Sequence, residues 1–280
     1  SFLLFFSNLI SLLLLLCFKY INPIGDIGTI ALIFSFSPAF IYLVAFIITF
    51  WGRLSYLRPS WKYVNFSLTN GLLGLGVQFF VIQITNCVIL YTSTNFIISH
   101  TVDNYSVTIY NLAYKYYQIV TMGFTIVLVP FWSSVTDAYG RQDFVWLKRS
   151  YSKMLRLFVC VLVVVVLMFF LSPLFYHIWI GDSVLIPHYV NVMLGLYVVL
   201  YNWSNLSIYF INGFGKIRVQ LIVSIFSAVI YIPFALFLGN TYGLLGVLFA
   251  SCLNLIPLSI MMPIQVFKII NKKSSGLWNK

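Results

Sequence analysis

The chain has 280 residues, of which 61% are hydrophobic and only 8% are charged, whereas about a quarter of the residues of a soluble domain are charged. This composition excludes an ordinary soluble domain and predicts an all-α membrane protein. The formal net charge of +11 is spread over several connecting segments rather than gathered into one groove, which argues against nucleic acid as a partner.

Eight apolar stretches are long enough to cross the hydrocarbon layer of a membrane, which takes about 20 residues of helix. They cover residues 1–18, 28–50, 71–93, 107–131, 155–176, 190–212, 219–238 and 243–267. The first stretch has neither an initiator Met nor a basic segment before it. We therefore interpret the chain as a fragment that begins at a helix, rather than as one that opens with a signal peptide.

The basic residues predict the orientation of these stretches. Fourteen of the 16 Lys and Arg residues follow the second, fourth, sixth and eighth stretches, and Lys and Arg are enriched on the cytoplasmic side of membrane proteins. We therefore expect those connections and the C-terminus to be cytoplasmic, where their charges contact anionic membrane lipids. The two exceptions are Lys19 and Lys115.

Two of the cytoplasmic connections are long enough to have structure of their own. Residues 51–68 alternate aromatic and aliphatic side chains with Arg and Lys, which predicts a link that lies in the membrane interface. Residues 137–156 place Phe144, Leu147 and Tyr151 at helical spacing, with basic residues between them. That pattern predicts a helix lying on the membrane surface.

Polar residues recur at helical spacing within two of the apolar stretches. In the fourth stretch the spacing of 3, 4 and 3 places four of them on one helical face: Thr108, Asn111, Lys115 and Gln118. The sixth stretch has a similar series: Asn202, Asn205, Tyr209 and Asn212. Polar groups that face lipid stay unpaired, so we expect both faces to meet other helices or a water-filled cavity. Hydrogen bonding between helices, without transport, is the alternative.

Lys115 is a cation that lies well inside a predicted span. It lies about eight residues into that span, roughly 12 Å below its outer end at about 1.5 Å per residue. A lysine at the bilayer centre costs about 3 kcal/mol on insertion scales, a cost that is avoided if the side chain faces an aqueous cavity. The polar neighbours on the same face favour a cavity, and snorkelling of the side chain to the interface is the alternative.

No pattern in the sequence favours catalysis, a metal site or a cofactor. The five acidic residues are all Asp and lie outside the predicted spans or at their edges, so no carboxylate is placed to relay protons or sodium within the membrane. The four cysteines lie in separate apolar stretches without CxxC spacing, and the three histidines form no metal-binding pattern. We therefore predict that the protein is not an enzyme.

Several segments resemble one family of membrane proteins. The segment "PFWSSVTDAYGRQDFVWLKRSYSKM", 130–154, is similar to the segment after the eighth helix of bacterial O-antigen and capsule repeat-unit flippases, the polysaccharide transporters of the multidrug/oligosaccharidyl-lipid/polysaccharide exporter superfamily. Three later segments are similar to the last three helices and C-terminus of that family: "FINGFGKIRVQL", "IPFALFL" and "PIQVFKIINKKSSGLWNK". The resemblance covers most of residues 60–280.

The resemblance implies a twelve-helix transporter whose two six-helix lobes surround a central cavity that opens alternately to either side. Residues 1–50 would be the last two helices of the N-terminal lobe, 51–68 a cytoplasmic interlobe linker and 69–280 the C-terminal lobe. The implied cargo is an oligosaccharide on undecaprenyl pyrophosphate, flipped across the bacterial cytoplasmic membrane. Implied partners are membrane lipids, a glycan polymerase and a chain-length regulator.

The resemblance also suggests what the polar faces bind. Lys115 would attract the pyrophosphate, while the neighbouring amides and hydroxyls bind sugar or phosphate oxygens. The candidate substrate-binding residues that line the cavity are Lys115, Asn111, Gln118, Thr108, Asn202, Asn205 and Tyr209. Two other functions stay open: an ion-coupled multidrug exporter of the same fold, and a membrane glycan polymerase.

Overall fold

The computed structural model describes residues 2–21, 27–52, 54–60, 69–87, 93–181 and 183–279. Within these ranges the chain is helical and has no β-strand. Five helices of this described part are long and apolar enough to cross a membrane, which is consistent with an all-α membrane protein. The chain divides into two compact units, Ser1–Thr69 and Asn70–Lys280.

The first unit contains a pair of apolar helices. α1 covers Phe2–Ile21 and packs against α2, which covers Ile27–Trp51. α2 is one of the five helices long enough to span a membrane, whereas the apolar part of α1, Phe6–Phe18, is shorter.

The predicted interfacial link at 51–68 is described only in part, because residues 53 and 61–68 lie outside the described ranges. Its described part contains one turn of 3₁₀-helix at Ser55–Leu57. The guanidinium of Arg58 lies 4.3 Å from the centre of the Trp51 ring, a distance typical of a cation–π contact.

The described part of the second unit is built around one central helix. Its helices are α3 (Thr69–Cys87), α4 (Thr94–Thr101), α5 (Asn104–Gly140), α6 (Phe144–Ile180), α7 (His188–Phe214) and α8 (Arg218–Ile270). α7 packs against α5, α6 and α8, and a larger share of it is buried than of the other four candidate spans. This central position explains why polar side chains of α7 meet side chains of several helices.

The predicted third span, 71–93, does not form one continuous described helix. α3 ends at Cys87, residues 88–92 lie outside the described ranges, and α4 is a separate helix of 8 residues. α3 is not among the five helices that are apolar enough to span a membrane. Its polar side chains lower its mean hydropathy, and they include Asn70, Gln78, Gln83 and Asn86.

α5 begins with a capped first turn. The carboxylate of Asp103 accepts a hydrogen bond from the backbone N–H of Ser106 at 2.6 Å, which pairs one of the free donors of the helix N-terminus. This bond stabilises the charged carboxylate and holds the pKa of Asp103 below its ordinary value.

The prediction of a surface-lying helix at 137–156 is wrong. α5 runs to Gly140, a short turn follows, and Asp143 caps the start of α6 by accepting from the backbone N–H of Trp146 at 2.9 Å. Leu147 is fully buried, and the hydroxyl of Tyr151 lies 3.0 Å from that of Ser207 in α7. The apolar face of this segment therefore packs against the protein instead of lying on lipid.

α8 is a helical hairpin. A straight helix of its 53 residues would be about 80 Å long, but Gly243 interrupts it with φ 60° and ψ −143°. The hydroxyl oxygens of Tyr231 and Ser251 lie 3.0 Å apart, so the chain folds back on itself. The first arm (218–242) and the second arm (244–270) correspond to the seventh and eighth predicted spans.

The bend of α8 is tighter than the connection expected at residues 239–242, between the seventh and eighth predicted spans. Helical structure continues up to Gly243, whose backbone lies in a region that only glycine adopts readily. At Gly246 a Cβ atom would overlap the backbone carbonyl of Leu238. The two arms can therefore approach this closely only because Gly246 has no side chain.

Candidate functional site

The polar face predicted on α5 lies on the outer side of the second unit. Lys115 and Thr108 are exposed, and Asn111 and Gln118 are half-buried. The opposite side of the helix is buried in the core and carries Ile109, Ala113 and Tyr117.

Hydrogen bonds use part of this face. The amide nitrogen of Asn111 donates to the amide oxygen of Asn95 in α4 at 3.0 Å and to the backbone carbonyl of Val107 at 2.9 Å. The hydroxyl of Thr108 donates to the backbone carbonyl of Asn104 at 3.4 Å. Asn111 therefore joins α4 to α5 while it also borders Lys115 on the helix face.

The charge of Lys115 is not balanced by any described carboxylate. The single ion pair among the described residues joins Arg141 to Asp137 at 3.0 Å, far along the helix from Lys115. Toward the C-terminus the exposed side of α5 becomes apolar, with Ile119, Met122 and Ile126. Lys115 thus marks the boundary between a polar part and an apolar part of one exposed helix face.

The predicted polar face of α7 is divided between two neighbouring helices. Asn202 is fully buried, and its amide nitrogen donates to the hydroxyl of Thr121 in α5 at 3.0 Å and to the backbone carbonyl of Val198 at 2.8 Å. Tyr209 also faces α5, where its ring lies edge-on to Trp132 with 6.0 Å between the ring centres. Asn205 instead faces α8.

A cleft between α7 and the two arms of α8, which Asn86 of α3 also lines, collects further polar side chains. Counting its open mouth, it contains about 570 Å³. We call it the polar cleft, and its polar lining includes Ser204, Asn205, Gln220, Ser224, Ser227 and Asn254. None of the described residues that line it is charged.

Two buried side-chain oxygens beside the polar cleft lack a hydrogen-bond partner in the protein. They belong to Gln220 and Ser227, which are only 4% and 5% exposed. Buried polar atoms are nearly always paired, so these two oxygens favour a bound donor, either water or the hydroxyl of a ligand.

The hydrogen-bonding surface continues beyond the polar cleft. Asn254 also borders a smaller pocket that contains Tyr197 and Tyr231. The hydroxyl of Tyr231 lies 2.7 Å from that of Thr94 and 3.0 Å from that of Ser251. Neutral hydroxyls and amides therefore extend from α4 to the second arm of α8.

The structure brings only some of the predicted site residues together. Thr108, Asn111, Lys115 and Gln118 share one side of α5, whereas Asn202 and Tyr209 contact α5 from α7 and Asn205 lies in the polar cleft. The polar side chains of α8 were not among the predicted site residues. Gln220, Ser224 and Ser227 are spaced 4 and 3 residues apart, as on a single helix face, and this spacing could have identified them from the sequence. Asn254 is not part of this series.

The candidate site combines neutral hydrogen-bonding side chains with the cation of Lys115, which has no described carboxylate partner. Asp103, Asp137 and Asp143 lie at helix ends, and the described part of the chain contains no cluster of three His, Cys, Asp or Glu residues suited to a metal. No family model, curated protein or solved structure matches this chain.

Proposed function

We propose that this chain belongs to a flippase that moves undecaprenyl-pyrophosphate-linked oligosaccharide repeat units across the bacterial cytoplasmic membrane by alternating access. The observation that carries the proposal is Lys115, an exposed cation without a described carboxylate partner, in a helix long and apolar enough to cross a membrane. Thr108, Asn111 and Gln118 lie on the same helix face.

A lysine inside a membrane-crossing helix is unfavourable unless its charge is stabilised. A lysine near the bilayer centre is unfavourable by about 3 kcal/mol on insertion scales unless it meets water or an anion. A pyrophosphate supplies the anion, and the compact ammonium of lysine binds phosphate as a point charge without a fixed bidentate geometry. Such an interaction can form in one state of the transporter and release in the next.

The neutral polar side chains support a carbohydrate cargo. Sugar hydroxyls both donate and accept hydrogen bonds, and side-chain amides and hydroxyls do the same. Asn111 and Gln118 flank Lys115 on α5, and Asn205 lies with Gln220 in the polar cleft. In this proposal the cation binds the carrier phosphate and the neutral groups bind the glycan.

The proposal includes an arrangement in the membrane. α5, α6, α7 and the two arms of α8 would be five crossing segments of a C-terminal lobe, and the less apolar α3 would be the sixth. α1 and α2 would be the last two helices of the N-terminal lobe. The link at 51–68 and the C-terminus would be cytoplasmic. A glycan polymerase and a chain-length regulator would act on the flipped product.

The test is leaflet transfer in liposomes that contain the full protein to which this chain belongs. A radiolabelled undecaprenyl-pyrophosphate oligosaccharide is incorporated, and its exposure to a membrane-impermeant oxidant is followed. We expect Lys115→Ala to abolish transfer at normal protein levels and Lys115→Arg to retain part of it. Lys148→Ala, which removes an exposed lysine near the start of α6, is the matched control and should transfer normally.

Two results would overturn the proposal. Full transfer by Lys115→Ala would show that the cation does not contact the cargo. An increase in the mass of the labelled lipid, with this protein as the only one present, would indicate a polymerase.

A further inference from the structure

A groove lies where the cytoplasmic ends of α6, α7 and α8 are predicted to be. Counting its open side, it contains about 930 Å³. Its walls include Leu155 of α6, Trp203 of α7, and Ile264 and Phe267 of the second arm of α8. Lys268 in the last turn of α8 and Lys273 just beyond its end also line it. We call it the basic-ended groove.

Two polar side-chain groups at this groove, the indole N–H of Trp203 and the hydroxyl of Tyr151, form hydrogen bonds within the protein. Pro263 has no backbone N–H, so it cannot donate to the carbonyl four residues earlier, which belongs to Ser259. The indole N–H of Trp203 donates to that carbonyl at 2.9 Å. Tyr151, which also lines the groove, directs its hydroxyl to Ser207 at 3.0 Å. The aromatic rings that remain at the groove favour a hydrocarbon occupant.

Lys268, which lies between the groove and the C-terminal turn, contacts the ring of Trp278. The C-terminal 3₁₀ turn, Gly276–Asn279, packs on α8, and the amide nitrogen of Gln265 donates to the backbone carbonyls of Lys216 and Trp278 at 2.8 Å and 3.3 Å. The ammonium of Lys268 lies 3.9 Å from the centre of the Trp278 ring. Neither Lys268 nor Lys273 pairs with a described carboxylate.

The ends of three helices meet beside these two lysines. The ammonium of Lys272 lies 4.6 Å from the centre of the Phe144 ring at the start of α6. Gln265 donates to the backbone carbonyl of Lys216, two positions beyond the end of α7 at Phe214. The basic residues predict this end of the bundle to be cytoplasmic. Anionic phospholipids are concentrated in the cytoplasmic leaflet.

We propose that the basic-ended groove binds one anionic phospholipid, with an acyl chain between Leu155, Trp203 and Phe267 and the phosphate between Lys268 and Lys273. The occupant follows from charge and polarity together. A hydrocarbon chain matches the apolar walls, and an anionic headgroup matches two unpaired cations near the end of α8. This site is independent of the proposed flippase function, because Lys115 and the polar cleft take no part in it.

The experiment measures phospholipid binding to the full chain in neutral detergent by native mass spectrometry, with palmitoyl-oleoyl phosphatidylglycerol and the zwitterionic palmitoyl-oleoyl phosphatidylcholine as probes. The test variant is Lys268→Gln with Lys273→Gln. The matched control is Lys148→Gln with Arg149→Gln, which removes the same charge from exposed positions that do not line the groove.

We expect the protein to prefer phosphatidylglycerol, and the test variant to bind it roughly tenfold or more weakly, because each lysine near an anionic headgroup contributes on the order of 1 kcal/mol. The control variant should bind as the unmodified protein does. An equal loss in both variants would reduce the interaction to general charge attraction and overturn the proposal. Equal binding of the two lipids by the unmodified protein would also overturn it.

A second variant tests the apolar walls without a change of charge. Ile264→Trp adds volume inside the groove, and we expect it to weaken phosphatidylglycerol binding while the lipid-free melting temperature shows that the chain is folded. Dihexanoyl phosphatidylglycerol, which has the same headgroup and short chains, should bind less well than the long-chain lipid. If the short-chain lipid binds equally well, the groove does not hold an acyl chain and the proposal is wrong.

Discussion

The hydroxyl oxygens of Tyr231 and Ser251 lie 3.0 Å apart, although the two residues are 20 positions apart in the same helical stretch. A straight helix would place these residues about 30 Å apart. The contact therefore requires the reversal at Gly243 and the close packing at Gly246, and it places Asn254 and Ser227 on facing arms of the hairpin. The polar cleft exists because of this reversal.

We expect Gly243→Ala to destabilise the second unit. A residue held in a glycine-specific backbone region is unfavourable by about 1–3 kcal/mol, and Gly243 has φ 60° and ψ −143°. Thermal unfolding in detergent measures the effect. Gly123→Ala is the control, because a Cβ atom at this position in α5 meets no atom within 4 Å; it should be neutral or stabilising. Equal melting temperatures for the two variants would contradict the hairpin geometry.

The bond between Asn202 and Thr121 should support packing rather than transport. A double-mutant cycle with Asn202→Ala and Thr121→Ala should give a coupling free energy of about 0.6 kcal/mol, the average for polar pairs between membrane helices. The stability of each variant is followed by unfolding in detergent, and cargo transfer is measured in parallel. Loss of transfer at unchanged stability would instead place Asn202 in the cargo site.

Pro263 and Trp203 should be thermodynamically coupled. Trp203→Phe removes the N–H that pairs the Ser259 carbonyl, and a buried unpaired carbonyl costs about 1–3 kcal/mol. Pro263→Ala restores a backbone N–H four residues after Ser259. The double variant should therefore lose less stability than the sum of the two single variants. Strict additivity of the two unfolding free energies would show that the indole is not pairing a carbonyl freed by the proline.

Along α5, the exposed side should be accessible to water at Lys115 and inaccessible to water at Ile126. We expect Lys115→Cys to react with a charged, membrane-impermeant thiol reagent in liposomes, because water reaches the proposed cargo cavity. Ile126→Cys is the comparison, since it lies 11 residues further along the same exposed side and its neighbours there are apolar. It should react slowly. If Lys115→Cys is as unreactive as Ile126→Cys, this face contacts lipid and the lysine snorkels.

Hydropathy alone indicates a helical chain of the membrane type, because an uninterrupted apolar stretch of about 20 residues can pair its backbone in lipid only as a helix. The described part of the chain is helical and is consistent with this type. The periodicity of polar residues also placed Thr108, Asn111, Lys115 and Gln118 on one side of α5. Both inferences depend on neighbours within a single helix, which the order of residues specifies directly.

The surfaces that these faces meet depend on how the helices pack together. Asn202 and Asn205 are three positions apart on α7, yet one bonds to Thr121 of α5 and the other lies in the polar cleft beside α8. Likewise, the amphipathic start of α6 packs against α7 through Tyr151 and Ser207, where the same pattern would suit a membrane surface. A helical period specifies which side chains share a face, but the partner of that face depends on how the helices pack.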